Sequence, residues 1–105
     1  MDGRDEDART INVSVQVLPI VEDLGRVVDR AISVIRESGV KYEVDALETV
    51  MEGPLDQLIE VAKAAHRACF DAGARQVVTI IKIADRVGGT TIEEKVGRYR
   101  DRGGD

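Results

Sequence analysis

Two sets of side chains in this sequence could do chemistry. In the stretch INVSVQVLP, Asn12, Ser14 and Gln16 alternate with Ile11, Val13, Val15 and Val17. An amide offers a donor and an acceptor together, and a hydroxyl offers either. Three neutral polar groups on one side of an apolar alternation suit a face that meets a ligand or another chain. Lysine or glutamate would serve better against water. The second set is the acid run Glu43, Asp45, Glu48 and Glu52. A carboxylate accepts two or more hydrogen bonds, so such a run suits a cationic or amino-bearing ligand. It equally suits the solvated face of a hairpin, and the sequence leaves both readings open.

The residues of more familiar catalytic type carry less. His66 is the single histidine and Cys69 the single cysteine. Glu60 and Asp71 lie elsewhere on the same helix pattern, so His66 has no ligand set for a metal, and a structural role outweighs a chemical one. Cys69 falls on the apolar stripe, where a cysteine acts as a small inert hydrophobe. The chain has no GxGxxG, no P-loop and no GxSxG. The segment DAGARQ reads as a helix C-cap.

The elements that must position these groups follow from periodicity. Alternation from Ile11 to Leu18 predicts a strand that Pro19 ends, because proline donates nothing to a ladder. Apolar residues at 24, 27, 28, 31, 32, 34 and 35 predict a helix over Leu24–Ser38, capped by Asp23 and closed by Gly39. VKYEVDAL predicts a second strand and ETVMEG a short third. The turn between them, Ala46–Leu47–Glu48, lacks the Gly or Asn of a tight hairpin. Pro54 opens a second helix with a stripe through Leu55, Leu58, Ile59, Ala62, Ala65, Cys69 and Phe70. RQVVTIIKIAD is an almost unbroken apolar run and predicts a well-buried fourth strand. TTIEEKVGRYR opens with a capping box, Thr91 to Glu94, and predicts a C-terminal helix over Thr91–Tyr99.

The order is βαββαβ with an extra helix. Right-handed crossovers place both helices on one side of a single sheet, an α+β ferredoxin-like sandwich. The first strand lies in the middle of that sheet. Asn12, Ser14 and Gln16 then stand at the centre of its open face, with Glu43, Asp45, Val78, Ile80 and Lys82 pointing the same way. The fourth strand is a bare edge unless another chain covers it.

A chain of 105 residues with 43% hydrophobic content is one domain. Residues 1–9 and 101–105 are polar and are expected to be disordered tails flanking a domain over 10–100. The net charge of −5, from 20 acidic and 15 basic residues, disfavours nucleic acid as a partner. The lack of aromatics on the first and fourth strands speaks against base stacking as well. A single cysteine, an acidic N-terminus and no apolar run near the roughly 18 residues that span a bilayer point to a cytoplasmic protein without a membrane partner.

Taken together, VSVQVLP, SGVKYEV, TVMEG, AAHRACFDAGARQVVTIIKI and the closing EEKVG resemble the small thiamine-binding-protein family, over roughly Val13 to Val96. The resemblance implies a ferredoxin-like subunit assembled into homodimers and tetramers. It also implies thiamine or a related pyrimidine bound at a subunit interface, without catalysis and without a cofactor. By position, Thr49, Glu52 and Gly53 match a T-x-x-E-G segment, His66 a histidine of the second helix, and Thr79 and Lys82 a T-x-x-K segment. The chain departs from the family at Ala46–Glu48, where a Pro-Met-Gly turn is usual. It departs again at Ile20–Glu22 and at Ile80. These departures bear on which ligand is bound and how tightly, not on the subunit fold.

The expected ligand site is therefore Asn12, Ser14, Gln16, Thr49, Glu52 and Lys82, with no catalytic residue and no metal. Two other functions compete with a small-molecule binder. One is a cofactor-light enzyme of ferredoxin-like shape, which would need a base–nucleophile pair and an aromatic cavity. The other is a regulatory or assembly protein that has lost its ligand. A titration with thiamine separates both from the leading reading.

Overall fold

The computed structural model describes residues 9–89 and 91–93. Its elements are β1 (Ile11–Ile20), α1 (Leu24–Glu37), β2 (Lys41–Val44), β3 (Thr49–Gly53), α2 (Leu55–Asp71) and β4 (Gln76–Ala84). The four strands form one antiparallel sheet in the order β2-β3-β1-β4. This is the ferredoxin-like α+β arrangement expected from the periodicity, with β1 central.

Both helices cover the face carried by Val13, Val15 and Met51. These residues pack with Val27, Ala31 and Ile35 of α1 and with Leu58, Ala62, Ala65 and Cys69 of α2. Asp23 caps α1 by accepting from the Arg26 N–H at 3.1 Å. Gly39, at φ 83°, lets the chain leave that helix in a left-handed conformation. Burial inside α2 pushes the Cys69 thiol up from its ordinary pKa and keeps it protonated.

Three expectations change. β1 does not stop at Pro19 but runs to Ile20, with Pro19 opposite Val77 of β4. The ladder to β3 covers only Ile11 to Val15. Beyond Val15 that side of β1 has no partner strand, so proline there forfeits no ladder bond to β3. The second correction concerns β4, which is not well buried within one protomer. It is an edge strand, and Val78, Ile80, Ile81 and Ile83 are all 38–52% exposed. An unbroken apolar run does not by itself mean burial, and among the described residues nothing covers the open face of β4. Third, Arg9 does not belong to a loose tail. Its guanidinium grips Asp85 through two bonds, Nε–Oδ1 at 2.7 Å and Nη2–Oδ2 at 2.9 Å.

After β4 the chain turns back over the sheet. Gly89 lies against the Thr10 carbonyl, so closely that a Cβ at Gly89 would stand 2.8 Å from that oxygen. The backbone is helical at Ile92 and Glu93, where the expected C-terminal helix begins. The rest of that helix and most of both expected tails lie outside the described residues.

Candidate functional site

The site originates in a difference of strand length. β3 has five residues and β1 has ten, so the second half of β1 extends past its neighbour. The gap beside it is bounded by α1 above and by the β2–β3 loop at the side. Residues 45–48 make that loop, closed by Asp45 N–H donating to the Glu48 carbonyl at 2.8 Å. The result is a cleft of about 280 Å³, near the lower limit of about 300 Å³ for small-molecule sites. That is room for one compact ligand.

Its walls are apolar, from Val15 and Val17 of β1, Val28, Ala31, Ile32 and Ile35 of α1, and Ala65 of α2. Its rim is polar, with Gln16, Asp45, Glu48 and Thr49 all lining it. Gln16 also lines a neighbouring depression with Asp45, Ala46, Leu47, Glu48 and Lys82. Lys82 Nζ pairs with Glu48 Oε2 at 2.8 Å. The Glu48 side chain is 23% exposed and that of Lys82 is 64% exposed, so the bridge lies at the wet margin and is individually weak.

The structure divides the six expected site residues into two groups. Gln16 and Thr49 line the cleft, and Lys82 reaches its rim through Glu48. Thr49 stands opposite Val15 on the helix-facing side, and its burial is part of the cleft's inner wall. Asn12, Ser14 and Glu52 lie on the open face of the sheet and do not line the cleft, with Ser14 opposite Lys82 in the ladder. Glu52 accepts from the Ile92 N–H at 2.8 Å and pairs with Lys41 at 3.3 Å, so it anchors the returning C-terminal segment. Asn12 Nδ2 donates to the Met51 carbonyl at 3.3 Å. Asn12 Oδ1 and Ser14 Oγ are buried with no hydrogen-bond partner among the described residues.

Sequence reasoning counted Glu48 and Asp45 among a run of acids but left them out of the site. The available signal was their place in the turn between two strands. What hid them was the lack of any local clue that β3 would end short of β1. His66 Nδ1 is 2.6 Å from Thr79 Oγ1, and its ring meets Phe70 edge-on. It ties α2 to β4. Among the described residues no group of three His, Cys, Asp or Glu side chains could hold a metal ion, and no helix is long and apolar enough to cross a membrane.

The chain is thus a small ferredoxin-like α+β protein with an apolar cleft rimmed by carboxylates. Within that class the relationship is specific. The sequence pattern of the family described as thiamine-binding protein matches residues 13–100, and the chain belongs to that family. It is 50% identical to a UPF0045 protein of Clostridium perfringens over 93 residues, which cover 87% of this chain and 98% of that protein. Among solved structures, a domain of unknown function from Bacillus cereus superposes with a TM-score of 0.85 at 49% identity, covering 90% of this chain and 94% of that one. A crystal structure from Thermotoga maritima, described as a candidate thiamine biosynthesis or salvage protein, superposes with a TM-score of 0.79 at 38% identity, covering 86% and 98%.

Proposed function

We propose that this protein binds thiamine or a related aminopyrimidine in the cleft beside β1, without transforming it. The observation that carries this reading is the meeting of Gln16, Asp45 and Glu48 with the buried Thr49 in the lining of one apolar cleft. Thiamine joins an aminopyrimidine, with donor and acceptor edges, to a cationic thiazolium. The Gln16 amide and the Thr49 hydroxyl can address the pyrimidine edge, and a carboxylate can take the exocyclic amine or lie near the cation. The aliphatic walls take the ring faces. Family membership and the description of the Thermotoga relative point to the same ligand.

The active form is a homo-oligomer. Leu18, Val78 and Ile80 share the open face at 42–49% exposure, and among the described residues the outer edge of the nine-residue β4 has no partner strand. Such a patch and edge are uncommon on a monomer. Leu18 and Leu47 both lie at the cleft, and a second subunit covering them would put the ligand beside the subunit interface.

Calorimetric titration with thiamine tests the binding reading. The wild type should bind, and Gln16→Ala should lose about five- to hundredfold in affinity with its melting temperature retained. Absence of binding by the wild type would overturn it. Sedimentation tests assembly, and a monomer at micromolar concentration would refute the oligomer.

A further inference from the structure

We infer that the rim of the cleft selects the unphosphorylated organic cation and turns away its phosphate esters. This rests on the binding reading above and concerns which form of the ligand that site accepts. The observation is the charge of the lining. Among the described residues no lysine, arginine or histidine lines the cleft, whereas Asp45 and Glu48 both do. The neighbouring depression adds one cation, Lys82, and Lys82 is already engaged by Glu48 at 2.8 Å. Among the described residues the two spaces together carry two carboxylates and one ammonium, a net formal charge of −1, with that ammonium paired to Glu48.

Phosphate sites are built the other way, from arginine, lysine or a helix N-terminus presenting free N–H groups. Neither helix presents its N-terminus here, since the α1 and α2 residues lining the cleft begin at Val28 and Ala65, well inside each helix. An ester oxygen emerging from the cleft would meet Asp45 and Glu48. If Lys82 turned to receive it, the Glu48 carboxylate would lose its counterion beside the new anion. A cationic ring gains from the same arrangement, because it can share Glu48 with Lys82. Lys82 then acts as a resident counterion of the empty site, one that a cationic ligand competes with.

Titration of the full-length wild type with thiamine, thiamine monophosphate and thiamine diphosphate at low and moderate salt reads this directly. Thiamine should bind more tightly than the diphosphate by about tenfold or more. The gap should narrow as salt screens the rim. Asp45→Asn with Glu48→Gln should shrink the gap by weakening thiamine and strengthening the diphosphate. Lys82→Met should widen it, since it removes the competing cation. Thiamine binding accompanied by equal or tighter diphosphate binding would overturn the selection and leave the binding reading standing. A gap that ignores both variants would overturn the rim as its source. No binding by thiamine or either ester would defeat both readings together.

Discussion

The two halves of β1 are both mostly apolar and have opposite fates. Ile11–Val15 is paired with β3, and with β4 from Asn12 onward, and all five of its residues are buried. Gln16–Ile20 is paired with β4 alone, and none of its residues is buried. The first half is core. The second half, which also carries β-branched and polar residues, borders an open cleft. The difference is not written in the strand itself. It is set by where β3 stops, and it shows that a binding space can be made by ending a neighbour early.

The largest test of that contrast applies one substitution to both halves. Ile11 is fully buried and Ile20 is 62% exposed. Ile11→Ala should cost about 2–5 kcal/mol, the range for truncating a buried isoleucine. Ile20→Ala should stay within about 0.5 kcal/mol. Denaturant midpoints measured at low protein concentration check both. Equal costs would mean that the second half is buried in solution by something other than its own protomer.

How much of this was legible depends on the range of each interaction. The element order and the facing of Val13, Val15 and Met51 follow from periods of two and 3.6, which are local. The start of α1 at Asp23 and its exit at Gly39 are local as well, and the structure places both where the sequence does. Pro19 misled because a local rule, that proline ends a strand, was applied where the neighbouring ladder had already ended. β4 misled because an apolar run does not say whether both of its faces are covered. The cleft was the least legible feature. It needs β1 to outrun β3, α1 to roof the gap and the 45–48 loop to close its side, and no window of sequence contains all three. Gln16 and Thr49 were chosen for their chemistry and fall together in the cleft. Asn12, Ser14 and Glu52 were chosen on the same grounds and fall on the open face, outside the cleft.

The closed half of β1 is also where the C-terminal segment returns, and two neighbouring glycines sharpen that point. Gly88 and Gly89 both have left-handed backbones, at φ 93° and 87°. A Cβ at Gly88 would meet nothing within 4 Å, whereas one at Gly89 would collide with the Thr10 carbonyl. Gly88→Ala should therefore cost only the backbone strain, about 1 kcal/mol. Gly89→Ala should cost about 1–3 kcal/mol more, because the backbone of Thr10 has to give way. Thermal melts of the two variants compare them. Equal melting temperatures would show that the segment does not press on β1.

A smaller effect separates the same region by pH. The hydrogen bond from Arg9 holds the Asp85 carboxyl below its ordinary pKa. For a depressed carboxylate, the stabilisation is fully present above the unfolded value of about 3.9 and disappears as pH falls through the folded value. Asp85→Asn should melt below the wild type at neutral pH, and the two should converge in strong acid. A difference that persists unchanged in strong acid would assign the effect to packing rather than to this ion pair.

The smallest expected effect decides between the cleft and the open face. Ser14 is 6% exposed, and its Oγ has no partner among the described residues. Removing a buried hydroxyl that makes no hydrogen bond loses nothing and relieves an unsatisfied group. Within an isolated protomer, Ser14→Ala should therefore be neutral or slightly stabilising, within about 0.5 kcal/mol. Buried polar groups are usually satisfied, however, so the hydroxyl calls for an ordered water or a group from a second copy. If a second copy supplies that group, Ser14→Ala weakens assembly in sedimentation while thiamine affinity in the intact oligomer is unchanged. Gln16→Ala should show the reverse, with affinity lost and assembly retained. Loss of thiamine affinity in Ser14→Ala with assembly intact would move the ligand out of the cleft and onto the open face, among Asn12, Ser14 and Glu52.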